Sequence, residues 1–316
     1  MENKAKFSLL HEELALDAAA AASSLETTVD SFAEDKIESW ASITWRRFKK
    51  DKLALASLML LLILALIAVF APILAPYDPV KTVGAFDAAP TGDFLLGTDD
   101  VGRDNLSRLI YGSRISLIVG IGSVIIYTII GITLGLISGY FGGIIDNVIM
   151  RITEVFMAYP RFMIILVIVS LIGPNMWTVM FVMGLMGWPP LCRLVRGEVL
   201  KIKTLDYVSS AVVTGYSPTT IVFQHILPNA MSPILVNFTF GIALAILTEA
   251  SLSFLGLGVQ PPTASWGNML TAAQSLTVLT SEPWRWIPPG LCILVTVLAV
   301  NFLGDGLNDA IGSDAK

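Results

Sequence analysis

Residues 162–192 read FMIILVIVSLIGPNMWTVMFVMGLMGWPPLC, 31 positions without a charged side chain. A helix of that length would run about 46 Å at 1.5 Å per residue, well past a hydrocarbon core of ~30 Å. A single crossing of a bilayer cannot use it, and Gly173-Pro174-Asn175 offers the chain a place to turn. How this run divides decides the fold, because four more apolar runs flank it. They cover 53–75, 115–139, 229–259 and 286–304, with 23, 25, 31 and 19 residues and Glu249 as their one charge.

The distribution of cations settles the division. Arg46, Arg47, Lys49, Lys50 and Lys52 precede the first run, and Arg193, Arg196, Lys201 and Lys203 follow the long one. By the positive-inside rule both clusters are cytoplasmic, so an even number of spans separates them. Two spans precede residue 140, so the next segment must supply two more. They are expected at 148–172, kinked near Pro160, and at 176–195. The expected fold is an all-α polytopic membrane protein with six transmembrane helices, 53–75, 115–139, 148–172, 176–195, 230–257 and 286–304, and both termini cytoplasmic. The external segments 76–114 and 259–285 are then long enough to cap the outer mouth or meet an external partner. Lys81, Arg103, Arg108 and Arg114 run against the rule, with six Asp between 78 and 104 to balance them.

Composition agrees with a chain that uses lipid as solvent. Of 316 residues, 54% are hydrophobic and 14% charged, and mean hydropathy is +0.73; a soluble domain carries roughly a quarter charged residues. The net charge of −5 is uneven. Residues 1–45 hold three Lys and nine Asp/Glu, so this expected cytoplasmic tail is acidic, and residues 46–316 are close to neutral. The acidic start is not that of a signal peptide. No basic patch points to nucleic acid. Cys192 and Cys292 make neither a disulfide framework nor a zinc set and are expected to pack as small apolar groups. No G-x-x-x-x-G-K-[ST] loop is present to cradle a nucleotide, and neither His lies in a span to pair with a nucleophile.

The polar segment between the fourth and fifth spans is the most informative for function. Thr204 or Asp206 is a candidate helix N-cap, Gly215 a candidate for positive φ after that helix, and Ser217-Pro218 reads as an N-cap with Pro at the first helical position. Pro228 would end a second helix or start the next span. Two short helices result, with Tyr207, Val208, Val212 and Tyr216 on a surface that they cannot bury alone. Their residues are similar to the cytoplasmic "EAA" loop of ABC-importer permeases. Ser209-Ser210-Ala211 stands at Glu-Ala-Ala, Gly215 and Leu227-Pro228 stand at the family spacing, and His225 replaces Ile. The family's Glu is missing, and Asp206 is the nearest upstream acid.

Other stretches resemble the dipeptide and oligopeptide branch of that family, C-type subunit. They are Ala75-Pro-Tyr-Asp-Pro79, the stretch from Leu96-Gly-Thr-Asp-Asp100 through Arg103 and Arg108 to Arg114, and Glu249-Ala-Ser-Leu-Ser-Phe-Leu-Gly-Leu-Gly-Val-Gln-Pro-Pro262 followed by Ser265-Trp-Gly-Asn-Met-Leu270. Together they cover about 46–310, leaving the tail 1–45 outside. The resemblance implies a permease subunit forming half of a translocation pathway. Its implied partners are a second permease subunit, cytoplasmic ATPases and an extracytoplasmic substrate-binding protein, with ATP bound by the ATPases and no cofactor held by this chain. Residues 204–229 would be the coupling loop, with Asp206, Ala211, Gly215, His225, Leu227 and Pro228 as its candidate residues. Glu249, an acid in an apolar run, is a candidate pathway or structural group. Asp146, Arg151 and Glu154 are expected in internal ion pairs, and Trp177, Trp188, Trp284 and Trp286 at the membrane interfaces. An ion-gradient-driven carrier working alone would instead bring several intramembrane acids or two matching repeats with broken helices.

Overall fold

The computed structural model of the chain describes residues 40–312, so most of the acidic tail over 1–45 lies outside the described residues. The compact unit Arg47–Lys316 carries every apolar run; the preceding unit ends at Arg46, within helix α1 Trp40–Phe48. Among the described residues the regular structure is helical. Five helices are long and apolar enough to cross a membrane, six if one bent pair counts as a span.

Helix α2, Lys52–Val69, starts where the Asp51 carboxylate accepts the N–H groups of Leu53 and Ala54. The short α3, Ala71–Leu74, follows it. Helix α4 covers Asn105–Phe141, ten residues earlier than the expected start at 115. Its 37 residues reach about 55 Å, so its first turns run beyond a hydrocarbon core. Those turns carry charges that the sequence places in a polar connection. They are helical because Asp104 caps the Ser107 N–H at 2.8 Å and Asp99 pairs with Arg108 at 3.4 Å. Asp99 also holds Arg103 at 2.7 Å, so Arg103 and Arg108 do not stand alone.

The long run 162–192 divides at Gly173–Asn175, between α6, Arg161–Ile172, and α7, Met176–Lys203. Ahead of α6 lies α5, Gly143–Met157, and the two are bent by 80° at the Ala158–Pro160 break. The kink expected near Pro160 is thus a full break. Helix α8, Asp206–Val213, precedes a helix that runs without a gap from Pro218 to Phe254: α9, Pro218–Thr220, a π-helical turn, Ile221–Ile226, and α10, Leu227–Phe254. Short helices α11, Trp266–Met269, and α12, Leu276–Ser281, lead to α13, Pro283–Gly312.

Helices α4 and α7 make the most extensive contact; α10 packs on both, and α13 packs on α10 and α2. Small residues set how closely α4 and α7 approach. Cβ atoms built on Gly131, Gly135 and Gly139 would lie 3.0, 2.6 and 2.7 Å from the Cβ atoms of Leu191, Val195 and Val199. These glycines repeat every four residues, down one side of α4. From α7, Gly184 and Gly187 meet Ile126 and Tyr127 in the same way. Trp188 corrects the interfacial expectation: it is 5% exposed and its ring lies 5.4 Å from that of Phe156 on α5. Cys192 is fully buried in the same contact.

A side chain at Gly135 would also meet the Cys192 carbonyl at 2.8 Å, and backbone cannot step aside cheaply. Gly135→Leu should therefore lower stability by about 1–3 kcal/mol, read as a lower thermal midpoint in detergent. Gly197→Ala, where a Cβ meets open space, is the control and should leave the midpoint unchanged or slightly raised.

Candidate functional site: the 204–229 segment and its supports

Helix α7 ends at Lys203, and its C-cap Thr204 turns its hydroxyl back to the Lys201 carbonyl at 2.8 Å. Leu205 then stands at the N-cap of α8 with no side-chain cap, and Asp206 is the first helical residue. Neither Thr204 nor Asp206 is the N-cap expected from the sequence. Thr204 is spent on the helix before, and Asp206 sits one position late, where its charge favours the helix N-terminus without closing a capping bond.

Val208 and Ala211, one turn apart, are 1% and 6% exposed and join the core cluster with Ile221, Ile226 and Ala230. Ala211 therefore faces the chain's own interior and positions α8. The outward face carries Tyr207, Val212, Val213, Tyr216 and, beyond the turn, Phe223, all exposed, interleaved with exposed Asp206, Ser209, Ser210 and Thr214; Val213 is 88% exposed. The helix ends in a Schellman motif. Tyr216 N–H donates to Ala211 O at 3.2 Å, Gly215 N–H donates to Val212 O at 3.0 Å, and Gly215 takes φ +84°. A Cβ at Gly215 would meet nothing within 4 Å, so what requires glycine there is backbone conformation alone.

Ser217 caps the next helix by accepting the Thr220 N–H at 3.2 Å, with Pro218 in the first position. Pro228 takes the second of its two expected roles: it stands in the first turn of α10 and starts the span, while the helix ahead of it runs on. It lacks an N–H for the Gln224 carbonyl, and its ring would press on that carbonyl in an α-helix. The π turn just before it relieves the conflict: Leu227 N–H reaches back to Val222 O, and the Asn229 amide donates to the His225 carbonyl at 2.6 Å. The second short helix expected from the sequence is therefore the end of the spanning helix itself.

His225 lies on that turn between two aromatic rings, 5.9 Å from Tyr216 and 6.4 Å from Tyr207. Its Nε2 is buried without a hydrogen-bond partner, so packing rather than polar contact holds it. With Leu227 packed on the core cluster, the ring ties α8, the Gly215 turn and the start of the span into one piece. At the adjoining end of the bundle, Arg196 grips Asp146 through two bonds of 2.6 Å, Ser138 donates to the same carboxylate at 2.5 Å, and the Lys203 ammonium donates to Tyr140 O at 2.6 Å. Arg151 pairs with Glu154 at 3.1 Å on the exposed face of α5.

Glu249 is fully buried toward the other end of α10. Ser253 and Ser265 donate to one carboxyl oxygen at 2.7 and 2.9 Å, and Ser116 lies 3.5 Å from the other. Ser116 in turn accepts the Trp266 N–H at 3.1 Å, and Ser265 and Asn268 close a capping box on α11. Glu249 thus fastens the segment around Ser265–Asn268 onto α4 and α10. Beyond it, Arg285 holds Asp87 at 2.5 Å and Glu282 at 2.8 Å, beside a cleft lined also by Asp99, Arg103 and Arg108.

One residue that sequence reasoning passed over is Arg161. It lies inside the span drawn at 148–172, but next to the apolar run it reads as a flanking charge. The break at Pro160 was the signal, because a charge at a broken membrane helix is seldom incidental.

Comparison with known proteins finds relatives over most of the chain. Residues 131–316 match the family described as the binding-protein-dependent transport system inner membrane component, and residues 39–90 match the N-terminal TM domain of oligopeptide transport permease C. The chain is 40% identical over 274 residues to the dipeptide transport system permease protein DppC of Bacillus subtilis, covering 86% of this chain and 85% of that protein. It is 43% identical over 274 residues to the glutathione transport system permease protein GsiD of Pectobacterium atrosepticum, covering 86% and 90%. It is 38% identical over 282 residues to the oligopeptide transport system permease protein OppC of Bacillus subtilis, covering 88% and 92%. The chain belongs to the family of inner membrane components of binding-protein-dependent transport systems, and within it to the multi-pass permeases of the peptide ABC-importer type.

Proposed function

We propose that this chain forms half of the membrane pathway of an ATP-driven importer of di- or oligopeptides, and that residues 204–229 are the element through which ATPase subunits move it. The second half would be a homologous permease subunit, and cargo would arrive on an extracytoplasmic binding protein. ATP would be bound and hydrolysed on the partner subunits, with no cofactor on this chain. Closure of the ATPase pair would push on α8 and the Gly215 turn. Because His225 and Leu227 pack α8 and the Gly215 turn against the start of the span, the push would tilt the span and exchange inward- and outward-open states.

The observation that carries this reading is the exposed apolar rim Tyr207, Val212, Val213 and Tyr216, set at the end of a spanning helix and stiffened from within by Val208 and Ala211. An apolar rim on a polar segment calls for a protein partner. A carrier working alone has no use for such a rim.

In the proposed orientation both termini and residues 204–229 face the cytoplasm. Ser210, Thr219, Thr91 and Thr263 are all exposed. Single cysteines at Ser210 and Thr219, in a background without Cys192 and Cys292, should react with an impermeant thiol reagent only from the cytoplasmic side. Cysteines at Thr91 and Thr263 should react only from outside, and labelling of Ser210 from outside would contradict six spans with both termini inside.

The coupling role is tested at Gly215. A side chain in a left-handed conformation costs about 1–2 kcal/mol, which a folded domain survives. The same energy changes the equilibrium of a short docking element about five- to thirtyfold. Gly215→Arg should reach normal abundance in the membrane, lose most transport and copurify with less ATPase subunit. Asp206→Ala should lose less, since it removes only a favourable charge at a helix start. Wild-type transport by Gly215→Arg with full ATPase association would contradict the assignment of the loop.

A further inference from the structure

Arg161 opens α6 directly after the 80° break. Its guanidinium donates to the Met183 carbonyl at 3.4 Å. Arg103, Arg108, Arg151, Arg196 and Arg285 each hold a carboxylate, whereas among the described residues no carboxylate pairs with Arg161. A helix cap does not explain it either, because a cation gains nothing from the N-terminal end of a helix.

Its depth is set by its neighbour on α7. Met183 is seven residues, about 10 Å, from the Met176 end and twenty residues, about 30 Å, from the Lys203 end. The Asp146–Arg196 pair lies thirteen residues, about 20 Å, closer to that second end. Around Arg161 the exposed surface is apolar, with Met163 59% and Val167 58% exposed. Arg161 itself is exposed on the chain, and an exposed charge at such depth faces a watered path or a protein partner rather than lipid.

The second group is Tyr127 of α4. It is 6% exposed, and its ring is wedged between Gly241 of α10 and Gly187 of α7, one turn from the Met183 carbonyl that Arg161 reaches. A guanidinium with five N–H donors thus stands one turn of α7 from a phenol, beside a helix break, and among the described residues no carboxylate pairs with the guanidinium. That is the donor set for a carboxylate, which a guanidinium grips in a bidentate fork.

We propose that Arg161, assisted by Tyr127, receives the free carboxylate of the cargo, the C-terminal carboxylate of a short peptide, on its way through the membrane. The proposal rests on the peptide-transport reading above and adds a specificity-determining residue to it. A lipid phosphate or an acid of the second permease subunit would engage the same guanidinium, and the experiment separates these occupants.

The test uses the whole importer in liposomes, with its second permease, ATPases and binding protein. Trialanine and its C-terminal amide serve as probes, and the readout is the ratio of their initial uptake rates at saturating binding protein. Arg161→Gln should lower the acid-to-amide ratio about tenfold or more, the usual worth of a hydrogen bond to a charged group. Arg161→Lys should keep part of the preference, and Tyr127→Phe should lower the ratio by a smaller factor with the complex intact. An unchanged ratio in Arg161→Gln would overturn the proposal. So would an equal loss of both probes, which marks a contact to lipid phosphate or to the second permease. If Arg161→Gln fails to assemble, an unchanged ratio in Tyr127→Phe and Arg161→Lys overturns it. Uptake of neither probe by the wild-type importer contradicts the peptide reading itself, and that result is seen before any variant is examined.

Discussion

The close approach of α4 and α7 is the constraint on which the rest depends. In a bilayer the hydrophobic effect does not press helices together, because lipid tails are as apolar as Leu, so packing and hydrogen bonds must do it. Gly131, Gly135 and Gly139 let Leu191, Val195 and Val199 settle against the α4 backbone, and Gly184 and Gly187 return the fit from α7. Lys203–Tyr140 ties one end of this pair directly, and Asp146 of α5 joins Arg196 of α7 to Ser138 of α4 there. Every functional feature is then placed by where it stands on that frame. The Arg161 break leans on Met183, and α8 leaves from the Lys203 end. The α10 span lies across both helices.

In the proposed coupling role, the 204–229 segment would serve as a handle on that frame. Few of its side chains are polar contacts; most of its stiffness comes from packing of Val208, Ala211, Ile221 and Ile226 and from His225 between two tyrosines. The Schellman turn at Gly215 satisfies the last carbonyls of α8 while reversing the chain. The π turn lets Pro228 sit inside a continuous helix, so that Pro218–Phe254 runs without a break from the Gly215 turn into the span. At the other end of α10 the Glu249 hydroxyl network fixes the segment around Trp266 in a comparable way.

Much of this was legible in the sequence, and the reason is physical. A charge-free run must find lipid or a core, so the apolar runs located the long helices, and Gly173-Pro174-Asn175 located the turn. Gly215 was legible because a glycine one residue past a short amphipathic helix has one common use. The losses came where a residue's role depends on what faces it. Thr204 and Asp206 both carry capping side chains, yet the frame of α8 assigns the cap to Leu205. Ala211 is the same residue whether it faces a partner or the core, and only packing places it inside. Pro228 usually breaks a helix, and the π turn that absorbs it has no sequence mark of its own. The first turns of α4 carry charges that a sequence places in water, and Asp99 makes them compatible with a helix. Arg161 was hidden by its position, one residue before an apolar run.

The account stands or falls on what touches the exposed rim at the end of α8. Val213 is 88% exposed and points away from the core that Val208 and Ala211 join. A photoreactive amino acid placed at Val213 in the assembled importer should cross-link to an ATPase subunit, and the yield should change when ATP is added without hydrolysis. Cross-linking to lipid alone, or a yield to the ATPase no higher than from a lipid-facing position such as Leu171, would contradict the claim that this rim is the surface through which the ATPase drives the spans.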